Sequence, residues 1–398
     1  MIRTGIVALL LLAASTTRAQ ERLDWYNLSP ETGVFGAGID DAYRLLATKK
    51  VKKHPIVALI TDGVKITHPS LAPVIWQNPK EKPDGKDNDK DGRVDDCHGW
   101  NFLGGSDGKT MTRLTTEGER EFLRLQDLYA DYITDGARYY KYTGDERREV
   151  PPPANPDEYN YYRRRVMPES SLARSRGGVI LARELREYAR RFNDELKAKY
   201  PEKKYFTYDD FLTLAQPGAP RDSLRDIALT VMQYYFHIRK ETEWTGALAY
   251  YGGQDYITSA RQSFERELRQ SGDDRQTIVG DNPLDITDTR YGNPNVQTPS
   301  PRGGTFMAGL IAGRRQNPAT QQETTPAGNN PIAEQARIMP LVVTPGSGEP
   351  YLKDIALAIR YAVDHQASII ILPLQNTLYP PLQTPWISQA RRHAENKG

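Results

Sequence analysis

"HPIVALITDG", residues 54–63, decides how this chain is read. Ile56 to Ile60 is an apolar run too short for an ordinary helix and without the polar alternation of a half-exposed strand. It predicts a strand buried on both faces. The strand stops at Thr61-Asp62-Gly63, and parallel α/β sheets keep their working side chains at that carboxyl edge. Working outward, "ARIMPLVV" (336–343) and "SIIILPL" (368–374) read as further strands. A helix begins near Gly304, "YLKDIALAIRYAVDHQ" (351–366) is an amphipathic helix, and "WISQARRHAENKG" (386–398) is another. Strands alternating with helices predict an α/β fold with a parallel sheet covered by helices on both faces.

Composition bounds the rest. With 398 residues, 26% charged and 38% hydrophobic, the chain can bury a sizeable core. Arg3 followed by the apolar run Ile6 to Ala14 and the small residues up to Ala19 has the form of a secretory signal peptide over residues 1–19, so export is expected. No later stretch is long and apolar enough for a transmembrane segment. The formal charge of +2 includes Arg3 and Arg18, so the remainder balances and offers no general attraction for nucleic acid. A single cysteine, Cys97, excludes an internal disulfide and is expected to act as a small buried apolar side chain. An exported fold without disulfides must be held by packing or by metal.

Residues 20–50 read as an N-terminal leader with a short helix near Asp40 to Ala47, and residues 51–108 with 287–398 as the α/β domain. Between them, residues 109–286 form a tyrosine-rich insertion of helical periodicity. "EREFLRLQDLYADYI" sets Phe122, Leu125, Leu128, Tyr129, Tyr132 and Ile133 on one face, and "VILARELREYARRFNDEL" and "SLRDIALTVMQYYFHI" behave alike. The stretch "VPPPANPDEYNYYRRR" (150–165) reads as a loop or linker, with Tyr161 to Arg165 in a solvated part of it.

"DGKDNDKDGRVDD" (84–96) places Asp87, Asp89 and Asp91 at alternate positions before Gly92, with Asp95 beyond. Carboxylates so spaced in a turning loop can converge on one hard cation, and calcium as a structural ion is expected. An EF-hand is not, because position twelve of the loop is His98 rather than glutamate.

The order "ITDGVKITHP", "HGWNF", "YGNPNVQTPSPRGGTFMAGLIAG", "ARIMPLVV" and "DIALAIRYAVDHQASIIILPL" resembles the subtilases, the subtilisin-like serine peptidases, in particular exported bacterial members with a long helical insertion. The resemblance implies a subtilisin-like parallel α/β sheet, structural calcium and a triad in the chain order Asp, His, Ser. It places Thr61 at the aspartate position and Gly303, within Gly303-Gly304-Thr305-Phe306-Met307-Ala308-Gly309, at the histidine position. Asp62 is adjacent to the aspartate position, and strand alternation directs its carboxylate away from the site. At the substrate-pairing strand, Leu372, Pro373, Leu374 and Gln375 replace a Ser-x-Gly pattern, with Pro373 at the serine and Gln375 at the glycine. Proline removes a backbone donor and glutamine adds bulk, so pairing with extended peptides is expected to be weak. The oxyanion asparagine and Gly-Thr-Ser nucleophile of the family are expected beyond Gly398, leaving the sheet incomplete at its C-terminal end.

A serine hydroxyl needs a base to take its proton, and the base needs a carboxylate to fix its tautomer. With Thr61 and Gly303 at those places, the expectation is a catalytically inactive, subtilase-like exported protein, a peptide-binding or scaffold module whose partners are extended peptides or proteins. Two other readings stay open. One is a serine endopeptidase whose nucleophile lies in a further C-terminal part; the other is a calcium-stabilised surface or adhesion protein.

Overall fold

Strand β1, Ile56–Thr61, is the centre of a four-stranded parallel sheet. In the computed structural model, which describes residues 27–33, 35–50, 53–144, 146–215, 223–314, 331–373, 375–376 and 378–397, the sheet order is β2-β6-β1-β7. Here β2 is Trp100–Asn101, β6 is Arg337–Val342 and β7 is Ile369–Ile371. Ile56 to Thr61 of β1 run beside Arg337 to Val342 on one flank, and Val57 to Leu59 beside Ile369 to Ile371 on the other. The expected signal peptide lies outside the described residues.

The unbroken apolar run of β1 has a simple cause. Ala58 and Ile60 pack with Met339, Leu341 and Trp100 beneath Leu352, Ile355 and Tyr361 of helix α8 (Leu352–Asp364). Val57 and Leu59 pack with Ile338 on the opposite face, beneath Ala308 and Ala312 of helix α7 (Arg302–Ala312). Both faces are dry, so neither parity needs polar residues. The last helix, α9 (Thr384–Lys397), packs along α8. Strand β7 is shorter than the run 368–374 suggested: pairing stops before Pro373, which has no N–H to donate.

Preceding β1 is the short helix α1, Ile39–Leu46. The segment between β2 and α7 contains α2 (Glu117–Tyr129), α3 (Ser171–Lys199), α4 (Ser223–Arg239), α5 (Trp244–Gly252) and α6 (Asp255–Gln270). Phe192 of α3, Phe211, Phe236 and Trp244 build one core, and Phe122, Leu125, Tyr159 and Phe264 another. Two expectations are corrected here. Helix α2 ends at Tyr129, and Ile133 begins a three-stranded antiparallel sheet of β3 (Ile133–Asp135), β4 (Arg138–Thr143) and β5 (Glu146–Val150). Gly136 and Gly144, at φ 59° and 61°, make the two reversals that a helix could not. The supposed linker is also helical over Pro156–Tyr161: Asn155 accepts from the Glu158 N–H, Pro156 opens the helix, and a single π turn carries it on over Tyr162–Val166. Tyr162 and Val166 are buried while Arg163, Arg164 and Arg165 are exposed.

A buried ion cluster fastens this segment to the sheet domain. The Arg275 guanidinium donates to both oxygens of Asp281 (2.7 and 2.8 Å) and both of Asp354 on α8 (2.7 and 2.8 Å). Lys353 Nζ donates to Asp281 at 2.7 Å, and all four side chains are at most 3% exposed.

Candidate functional site

At the carboxyl end of β1 the N-terminus of α7 closes over the strand. Thr61 shares the parity of Val57 and Leu59, which face α7, and its Oγ1 lies 2.4 Å from where a Cβ on Gly304 would stand. The same position lies 2.1 Å from the Gly63 carbonyl oxygen, so only a residue without a side chain fits at 304. Gly63 itself has φ 96° and turns the chain out of the sheet, with the Val64 N–H donating to the Val296 carbonyl at 3.0 Å.

The orientation expected for Asp62 is overturned. Its carboxylate faces the site: Oδ2 accepts from the Gly303 N–H at 2.9 Å and Oδ1 from the Gly304 N–H at 2.6 Å. Alternation of side chains applies only while the backbone stays extended, and β1 ends one residue earlier. Helix α7 explains the attraction. Its own N-cap, Pro301, offers no side-chain acceptor, so Asp62 satisfies two of the orphaned N–H groups and places a negative charge at the positive end of the helix. The Asp62 carbonyl in turn accepts from the Thr298 hydroxyl at 2.7 Å.

Gly303 contributes no side chain to this pocket; a Cβ there would lie 3.2 and 3.3 Å from the Asp62 oxygens. None of the histidines bonds to Thr61 or Asp62 among the described residues. His54 meets the Gln335 carbonyl, His68 the Ser70 N–H, His98 the Trp76 carbonyl and His393 the Asp364 carboxylate. His237 sits near the end of α4. Leu372, Pro373 and Gln375 are exposed just past β7, and Leu374 lies outside the described residues.

The acidic loop divides its carboxylates. Asp87 and Asp89 join Glu81, their ligand atoms all within 4.8 Å of one another. Asp87 also accepts from the N–H groups of Asp91 and Gly92, which winds the loop around it. Glu81 Oε1 accepts from the N–H of Asn88 and of Asp89, but Oε2 is buried with no hydrogen-bond partner. An orphaned buried carboxylate oxygen among all-oxygen donors suits a hard cation. Asp91 instead joins Asp96 and His365. Asp95 turns elsewhere, accepting from the N–H groups of Asp84 and Gly85. Burial pushes the Asp96 carboxyl up to about 6 against the hydrogen bond from the Tyr361 hydroxyl, with Asp91 adding to the rise. Cys97, half-buried beside this loop, has its thiol pushed up by burial and by the carboxylates around it, which keeps it protonated and inert.

Sequence reasoning missed Glu81, Asp96 and His365. Asp96 directly follows Asp95 and shared its signal; Glu81 and His365 carry none, since only folding brings them to the loop.

No helix among the described residues is long and apolar enough to cross a membrane. Comparison with curated proteins gives no match, nor does comparison with solved structures. The subtilase family model matches residues 52–398, which takes in the sheet, the helical segment and the α7 turn. On that match, and on the parallel sheet whose carboxyl edge sets Thr61 beside the α7 turn that holds Gly303, the chain belongs to the subtilase family.

Proposed function

We propose that this protein is an exported, noncatalytic member of the subtilase family that binds extended peptide or protein segments. The observation that carries the reading is the Asp62 carboxylate closing on the N–H groups of Gly303 and Gly304. In the triad chemistry a carboxylate orients an imidazole, which takes the proton of the nucleophile. Here the carboxylate caps a helix, and the residue at the base position has no side chain to move a proton. Calcium supports the fold when bound at Glu81, Asp87 and Asp89, which gather around an unpartnered carboxylate oxygen. The exposed Leu372, Pro373 and Gln375 lie beside the sheet edge where an extended peptide pairs, and pairing there is weak because Pro373 lacks a donor and Gln375 adds bulk.

The test is hydrolysis of casein and of fluorogenic peptides by the purified protein, with and without calcium, beside the Thr61→Asp/Gly303→His double variant. No turnover by the natural chain, together with weak peptide binding that Gln375→Gly strengthens, is the expected result. Calcium-dependent cleavage that disappears when one of the chain's own side chains is removed would overturn it and favour the endopeptidase reading. Amino-terminal sequencing of exported material should begin at Gln20.

A further inference from the structure

We propose that Asp91, Asp96 and His365, with Asp89 at their border, form a second cation site, selective for a borderline first-row divalent ion such as zinc and distinct from the oxygen-only cluster at Glu81. The inference does not depend on the catalytic reading.

The His365 ring is set as a metal ligand is set. Its Nδ1 lies 2.9 Å from the Tyr361 carbonyl oxygen, so the Nδ1–H donates there and the lone pair is left on Nε2. Nε2 faces three carboxylate oxygens: Asp89 Oδ2 at 3.6 Å, Asp96 Oδ2 at 3.8 Å and Asp91 Oδ2 at 3.9 Å. These separations exceed a hydrogen bond. They approach the edge of a tetrahedron around one ion, about 3.3–3.6 Å for metal–ligand bonds of about 2.0–2.2 Å. Three carboxylate oxygens around Nε2 call for a positive charge among them, a proton on the ring or a metal ion, and separations too long for a hydrogen bond favour the ion.

The surroundings hold every donor in place. The imidazole stacks on Tyr361 at 4.0 Å between centroids and meets Trp76 edge-on at 5.6 Å. Asn78 Nδ2 donates to Asp96 Oδ1 and to Asp89 Oδ2, and the Tyr361 hydroxyl donates to Asp96 Oδ2. Arg93 donates to Asp91 Oδ2 and offsets one of the three negative charges, leaving two for a divalent ion. Such outer partners fix ligand orientation in metal centres. The nitrogen donor sets the selectivity: calcium takes oxygen ligands, whereas imidazole with carboxylates suits zinc and its neighbours.

The experiment is zinc titration of the metal-free full chain by calorimetry, in calcium excess, with cobalt(II) substitution read by its visible absorption. One zinc equivalent is expected, with a tetrahedral cobalt spectrum. His365→Ala should weaken zinc at least tenfold and leave calcium binding unchanged; Tyr361→Phe should weaken it about 10–100-fold. If His365→Ala does not fold, as judged by circular dichroism, His365→Gln replaces it. Zinc binding that survives loss of the imidazole, that calcium displaces fully, or that is missing from the wild type would overturn the proposal. Loss of calcium and zinc together in His365→Ala would also overturn it, because it would mean a single shared site. Peptide hydrolysis is read separately, so its result bears only on the catalytic reading.

Discussion

Replacing Asp62 by alanine should cost the fold about 1.5–5 kcal/mol, although the residue lies outside every strand and helix. The magnitude follows from the two N–H groups it serves. Gly303 is exposed, so its N–H at 2.9 Å recovers water when the carboxylate goes, and the loss there is that of a helix cap, about 0.5–2 kcal/mol. Gly304 is buried, and its N–H at 2.6 Å has no replacement, which adds the desolvation cost of an unsatisfied donor, about 1–3 kcal/mol. Asp62→Asn should fall between, because its amide oxygen can accept from one N–H while its NH2 group opposes the other. Urea unfolding followed by circular dichroism and tryptophan fluorescence reads this as a fall in midpoint at constant slope. An Asp62→Ala midpoint within about 0.5 kcal/mol of wild type would refute the capping role, and with it the account of why this carboxylate faces α7.

The two glycines of the turn should respond differently to a methyl group. Gly304→Ala drives a Cβ to 2.1 Å from the Gly63 carbonyl and should cost about 3 kcal/mol or more, whereas Gly303→Ala needs only a shift of tenths of an ångström by Asp62 and should stay within about 1 kcal/mol of wild type in the same assay. Arg275→Ala leaves Asp281 and Asp354 buried without their shared guanidinium and should cost about 3–5 kcal/mol, seen as a lowered thermal midpoint. Burial raises the Glu184 carboxyl above its usual range against the hydrogen bond from Tyr142 and the charge of Arg147. The folded state therefore holds that proton more tightly than the unfolded chain does, so the stability contributed is largest below the ordinary carboxylate value and is lost as pH rises through the raised one. The unfolding free energy of wild type minus that of Glu184→Gln should fall as pH rises above the ordinary carboxylate value; a rise would contradict the burial effect.

The strands were legible because their cause is local. Ile56 to Thr61 and Arg337 to Val342 are apolar on both faces, and that pattern survives any tertiary context that buries it. The hairpins at 133–150 were overlooked because "RYYKYT" is half-exposed and polar to a hydrophobicity count, though Gly136 and Gly144 mark both of its turns. At the site, residue identity was readable and direction was not. The side chain of Asp62 obeys the helix that arrives more than 200 positions later, not the strand that precedes it. The metal cluster has a similar logic: Asp87, Asp89 and Asp91 announce a cation, but Glu81 joins them through the fold of the loop itself, and His365, which draws Asp91 aside, only after α8 is laid on the sheet.

The guanidinium of Arg275 has a consequence for engineering. Excising residues 109–286 and rejoining the ends would look harmless on a topology diagram, since the four parallel strands would all remain. It would instead leave an ammonium and a carboxylate, at 353 and 354, buried without Arg275 and Asp281, with only Asp288, 3.9 Å from Lys353, as a remaining charged partner. The excised piece is thus a keystone and not an ornament, and trimming it would require Lys353 and Asp354 to be exchanged for apolar residues in the same stroke.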